Sequence, residues 1–300
     1  MFISVRLKAC SKLNLALYVG ARSADGFHPL ESAAVTVDIA DTVSVCENDS
    51  GKMRAYYGDG VFIPEEKDSV LRAARLFFQK TSAPFKGLEI KTQKKIRQMA
   101  GMGGSSADAA AVLAALKSFY GCEDTVLDEI ARSVGSDISF LMRGGAAIMS
   151  GKGDDLTACE ARASRICFVV VYCGKGLSTA DVFGEFDKPL YPKADLNESR
   201  KKCSHVLRLF ETGDAKGMTE NAFNSLFAPA AALCPELDLT ARKAAALGVP
   251  LAMTGSGSAM FSAFGEMEKA EAAAELLRGA GLDAHTCLPA LSGIVVCSEK

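Results

Sequence analysis

The stretch of this chain best equipped for chemistry is Lys94–Tyr120, KKIRQMAGMGGSSADAAAVLAALKSFY. Gly101, Gly103 and Gly104 precede Ser105 and Ser106, and an apolar run then leads to Phe119. A glycine–serine turn that opens a helix suits an anion. Glycines let a ligand approach the backbone. The first amides of the helix lack internal partners and point outward, where the helix dipole also favours phosphate. Such turns also arise where two elements pack closely, so the loop alone leaves both readings open. No lysine follows the glycines, so this is not the P-loop pattern, and G-x-G-x-x-S misses the third glycine of the dinucleotide fingerprint. Phosphate bound here would be held by amides and serine hydroxyls, with its cation supplied from elsewhere.

Three other places carry reactive types. Lys12 and Asn14 alternate with Leu13 and Leu15, so they share one face of a strand. A solvated edge charge is the plain reading of Lys12, but Asn is disfavoured inside strands and asks for a reason. Phe27 and His28 follow an Asp25-Gly26 turn. An aromatic beside a histidine on a loop suits stacking and hydrogen bonding to a planar ring, and it equally suits a hydrophobic plug. In Gly135-Ser136-Asp137, Ser136 or Asp137 reads as a helix N-cap. An acid at that position also stays ionised beside the helix dipole, as a proton acceptor must.

The elements that position these residues can be read from periodicity. Ile3–Cys10 and Leu13–Val19 alternate as strands, and Val35–Val45 continues the pattern with Asp38 and Asp41 near a turn. Asp68–Lys80 is an amphipathic helix with Asp68 or Ser69 as cap, and Gly87–Thr92 is a strand entering the glycine loop. A charged stretch, Cys159–Arg165, marks a boundary between residues 1–160 and 161–300. Beyond it, Ile166–Tyr172 is a buried strand, Ser178 or Thr179 caps a helix to Phe186, and Lys188–Ser199 is a loop. Helices are expected at Arg200–Glu211, Lys216–Phe227 and Leu237–Leu247. A second glycine–serine turn, TGSGSA, follows Leu251–Met253. A helix at Met267–Arg278 and strands near Ala284–Leu288 and Gly293–Cys297 complete the second half as a split βαβ, ferredoxin-like sandwich. The fold class is α+β in two domains.

Composition narrows the function. The 300 residues are 49% hydrophobic and 23% charged, with a net charge of −2, an ordinary globular mixture. No basic tract interleaves with aromatics, which argues against nucleic acid. No apolar run approaches the roughly 20 residues of a membrane span, and the N-terminus alternates rather than forming a signal core. Ten cysteines without a C-x-x-C pair, several in apolar runs, read as reduced thiols of a cytoplasmic protein. With three histidines, a His-based metal site is not expected.

Taken together, SKLNLALYVGARSADGFH, AGMGGSSADAAAVLAAL and TGSGSAMFSAF resemble, in that order, the GHMP kinase superfamily. GSDISFLMRGGAAIMSGKGDDLT and LSTADVFGEFD extend the resemblance nearly end to end. The K-x-N element with D-G-F-H is similar to the branch acting on a cytidine-diphosphate-linked methylerythritol. Arg97, Ser105 and Ser139 stand where that pattern has Pro, Gly and Pro, Phe27 replaces Tyr, and Ser11 replaces Ala. The resemblance implies an N-terminal S5-like α/β domain and a C-terminal ferredoxin-like sandwich. It implies ATP as co-substrate, with Mg²⁺, and a small-molecule acceptor bearing cytidine diphosphate, in a monomer or homodimer. By the same match, Asp137 accepts the hydroxyl proton and Lys12 stabilises charge. Met99, Ala100, Gly101, Met102, Gly103, Gly104, Ser105, Ser106 and Ala107 contact ATP. Asn14, Phe27, His28, Thr179 and Phe183 contact the acceptor.

Overall fold

A computed structural model describes residues 2–58, 63, 64, 66, 68–159 and 165–297. The first alternating segments form one continuous strand, β1 (Ser4–Val19), rather than two. It pairs antiparallel with β2 (Leu30–Glu47), and irregularities at Cys10/Ser11 and Asn14/Ala16 bend the pair without ending it. The turn expected near Asp38 and Asp41 is therefore absent. Both residues lie within β2, where the bulge absorbs the break in alternation. β3 (Met53–Tyr57) leads to helix α1 (Ser69–Thr81). The Asp68 carboxylate caps α1 by accepting from the Val70 and Leu71 amides.

β4 (Leu88–Gln93) runs into the glycine loop, and α2 (Gly104–Tyr120) leaves it. Ala107 to Leu113 are all buried, so α2 is covered on nearly every side, which its small alanines permit. Then follow α3 (Asp124–Val134), the six-residue α4 (Ile138–Arg143) and the hairpin β5 (Ala146–Gly151) and β6 (Asp155–Cys159). The boundary expected at Cys159–Arg165 falls largely on residues 160–164, outside the described set.

The second half opens with β7 (Cys167–Tyr172) and α5 (Thr179–Phe186), capped by Ser178. The expected loop Lys188–Ser199 is cut short, because the Asp195 carboxylate caps α6 (Leu196–Thr212). The helix expected over Lys216–Phe227 is three elements: α7 (Ala215–Asn221), the short strand β8 (Phe223–Asn224) and, after a turn, α8 (Phe227–Leu233). The Asn224 side chain causes the break. Its amide donates to the Met253 and Gly255 carbonyls at 2.8 and 2.9 Å, and its oxygen accepts from the Leu226 amide. α9 (Glu236–Ala246), β9 (Ala252–Met253), β10 (Ala259–Phe264), α10 (Met267–Gly279), β11 (Asp283–Cys287) and β12 (Ile294–Val296) follow.

Among the described residues there are two sheets. The larger runs β12-β1-β2-β4-β3, with β5 and β6 extending from β2 and β8 parallel to β1. The smaller is antiparallel with order β11-β7-β10-β9, the ferredoxin-like arrangement expected of the second half. β12 leaves that half and pairs with β1. β1 belongs to both cores: Leu7, Leu13 and Leu15 pack in the first, Leu17 and Val19 in the second. The site lies along this shared strand.

Candidate active site

The Lys12 side chain leaves the middle of β1 and runs past Gly103, where a methyl group would press on its stem at 3.4 Å. Its ammonium lies 3.6 Å from Asp137 Oδ2 and also donates to Asn14 Oδ1. Lys12 is 6% exposed at the side chain and Asp137 27%, so the cation is enclosed while the carboxylate faces open space. Asp137 occupies the N-cap position of α4 but makes no side-chain capping bond. Its oxygens remain available to a ligand. Asn14 donates from Nδ2 to Ser32 Oγ at 2.7 Å, and its backbone amide donates to Thr254 Oγ1 at 2.8 Å. The asparagine that β-propensity could not explain is thus a fixed bracket for the lysine.

Beside this pair the two glycine–serine turns interlock. Gly101 has φ +77° and Gly255 φ +55°, a region that favours glycine. A methyl at Gly101 would collide with the Thr254 carbonyl, and one at Gly255 with the Gly101 carbonyl. Carbonyls of the first turn accept from three distant places: Met99 from Leu177, Ala100 from Ala259 and Met102 from Lys12, at 2.9 to 3.1 Å. Arg97 pairs with Asp283 and lies 4.7 Å over the Tyr172 ring, tying the turn's entrance to the smaller sheet. Three of its carbonyls are thus tied to other parts of the chain.

A cavity of about 1020 Å³ joins these features. Lys12, Asn14, Phe27, His28, Met99 to Ser106, Asp137, Thr179 and Phe183 all line it. Ala107 does not. It is fully buried and its amide donates to the Gly103 carbonyl at 2.8 Å, so helix formation has already used the group expected to meet phosphate. At one end of the cavity, Phe27 is exposed with the Lys152 ammonium 4.2 Å over its ring. His28 is buried, 5.2 Å from the Phe183 ring, with Nε2 against Asp187 Oδ1 at 2.8 Å. Thr179 Oγ1 meets Ser256 Oγ at 2.9 Å.

The sequence reading missed a second charge cluster beneath the loop. Lys94 Nζ donates to Asp108 Oδ2 at 2.7 Å and to Asp41, whose other oxygen accepts the Lys95 and Ile96 amides. Burial pushes the Asp108 carboxyl well above the usual carboxylate range, against the pull of Lys94. Burial also opposes the Lys94 charge, but Asp108 and Asp41 outweigh it and raise that group. The one available signal was Asp108 itself, a lone acid among the alanines of α2.

A buried lysine beside an available carboxylate, at the mouth of an anion-ready turn, can take a proton from a hydroxyl and stabilise charge on a phosphoryl group. Comparison with known proteins identifies the family. Residues 68–159 match the GHMP kinases N terminal domain, and residues 208–281 the GHMP kinases C terminal domain. The chain is 34% identical over 268 residues to a 4-diphosphocytidyl-2-C-methyl-D-erythritol kinase of Mycolicibacterium smegmatis, covering 87% of this chain and 81% of the relative. It is 34% identical over 261 residues to the kinase of that name from Paracidovorax citrulli, with 85% of each covered. A crystal structure of a 4-(cytidine 5'-diphospho)-2C-methyl-D-erythritol kinase superposes with TM-score 0.74 at 30% identity, over 96% of this chain and 99% of the other. A homoserine kinase from Cytophaga hutchinsonii superposes with TM-score 0.74 at 17% identity, over 98% and 97%, which shares the fold. Among the described residues no helix is long and apolar enough to cross a membrane. This chain therefore belongs to the 4-diphosphocytidyl-2-C-methyl-D-erythritol kinase family of the GHMP kinases, enzymes that use ATP as phosphoryl donor.

Proposed function

We propose that the chain transfers the γ-phosphoryl group of ATP to the 2-hydroxyl of 4-diphosphocytidyl-2-C-methyl-D-erythritol, a step of the non-mevalonate isoprenoid pathway. The observation that carries this reading is the approach of Lys12 to Asp137 beside the glycine–serine turn, within one cavity. The free amides and hydroxyls of Gly103 to Ser106 wrap the ATP phosphates, and Met99 and Ala100 edge the nucleotide. Bound with ATP, Mg²⁺ would neutralise charge on the phosphates that Gly103 to Ser106 hold. The acceptor oxygen attacks γ-phosphorus while the bond to the ADP oxygen breaks. Asp137 takes the hydroxyl proton. Aspartate is a far weaker base than an alkoxide, so the proton moves late, as the new bond forms. Lys12 steadies the charge on the transferring oxygens. Asn14 orients Lys12 and keeps one N–H for the acceptor's polyol. Phe27 and Phe183 stack on cytosine, His28 reads its polar edge and Thr179 contacts the acceptor.

The two halves meet near residue 160, with β1 common to both cores, and the enzyme works in the cytoplasm. Ten cysteines, none of them in a disulfide among the described residues, support that setting. The reading is tested by ADP release with Mg²⁺ and a panel of alcohols: the cytidine-linked diol, homoserine and mevalonate. Turnover confined to the cytidine-linked diol is expected. Equal turnover of homoserine or mevalonate would overturn the substrate assignment.

A further inference from the structure

The cavity wall around His28 holds one acid that the reaction leaves unused. Asp187 is the C-cap residue of α5, where the helix dipole disfavours a carboxylate. Helix stability therefore does not account for it. Its Oδ1 lies 2.8 Å from His28 Nε2, and its Oδ2 lies 3.3 Å from Arg22 Nη1. Arg22 is in turn held by donating from Nε to the Gly26 carbonyl at 2.9 Å. The acid thus ties the end of α5 to the loop that carries Arg22 and His28. Phe183 and Phe186 stand 5.2 and 5.7 Å from the imidazole, which restricts its rotation.

A carboxylate only accepts, so the proton between these residues belongs to His28 Nε2. In a neutral imidazole the other nitrogen is then an acceptor. His28 Nδ1 has no hydrogen-bond partner among the described residues, and it is not among the side-chain atoms sealed from solvent without one. The residue lines the cavity. A pyrimidine read here meets a lone pair. Cytosine offers an amino group to such an acceptor, whereas uracil carries a carbonyl oxygen at the same position and is repelled.

We propose that Asp187 is a positioning residue that holds the His28 proton on Nε2, so that Nδ1 selects an amino-bearing pyrimidine over its oxo counterpart. This rests on the cytidine-linked substrate read above. Asp187→Asn is the incisive change. An asparagine can turn its amide to donate to Nε2, which lets the ring proton move to Nδ1 and removes the preference.

The experiment uses the full chain with MgATP, the cytidine-linked diol and the same diol linked to uridine diphosphate. In Asp187→Asn the KM for the cytidine substrate should rise about tenfold while kcat stays within about twofold, and the preference over the uridine substrate should fall about tenfold, the scale of one hydrogen bond. ¹⁵N NMR of the wild-type imidazoles should show His28 protonated at Nε2, and with three histidines the signals are separable. An unchanged preference in the variant, or a wild-type proton on Nδ1, overturns the role of Asp187 alone. Wild-type turnover of neither nucleotide-linked diol overturns the substrate reading and this proposal with it.

Discussion

Two lysine–aspartate groupings flank the same glycine–serine turn, and they are built for opposite ends. At Lys12 the nearest carboxylate oxygen is 3.6 Å away and Asp137 is 27% exposed. At Lys94 both carboxylates are enclosed, and the ammonium bonds to each of them. A loosely paired, accessible carboxylate can exchange a proton with a ligand. A lysine shared between two buried acids is committed to holding β4 and α2 together. Residue type is the same in both places, and burial and spare bonding capacity separate them.

The comparison breaks most visibly at Asp137. Asp137→Asn should lower turnover by about 10²-fold or more in steady-state kinetics, the scale of losing a general base, with ATP binding and melting temperature retained. Lys12→Ala should act mainly on turnover as well. A change confined to KM would make Lys12 a binding residue instead.

Lys94→Met should give the reverse pattern. It leaves Asp41 buried without its counter-charge, held only by the Lys95 and Ile96 amides, and takes from Asp108 its bond to Lys94, a loss of about 3–5 kcal/mol in urea unfolding. Stability unchanged by Lys94→Met would erase the distinction drawn above.

The smallest effect is a pH dependence. Asp108 has its carboxyl raised in the fold by burial, so the native state keeps a proton that the unfolded chain has released. Stability therefore falls as pH rises from the ordinary carboxylate range toward the raised value. Asp108→Asn removes that titration. Its melting temperature should drop less than wild type between pH 5 and pH 8, by about 2–4 °C in calorimetry. Parallel pH curves would show that Asp108 is ionised in the fold.

Legibility followed distance along the chain. The cap Asp68, the helix opened by the glycine turn and the strand character around Lys12 are local, and the sequence displays them. The helix misread at Lys216–Phe227 failed because Asn224 finds its partners at Met253 and Gly255, where no local pattern could show them. Asp187 stayed hidden for the same reason: its partner His28 is 159 residues earlier. Ala107 was overread, since a motif shows which residues border a turn but not which amides the helix has already used.

By itself the sequence determined the alternation of strands and helices, the two glycine–serine turns and the types of residue near them, because these depend on neighbours a few positions apart. Tertiary structure decided which aspartate meets which lysine. The register of β2 against β4 sets Thr42 opposite Gln93 and so brings Asp41 to Lys94, leaving Asp137 for Lys12. That choice depends on how strands align over long separations and on which charges the packing encloses, and no short stretch of chain contains either.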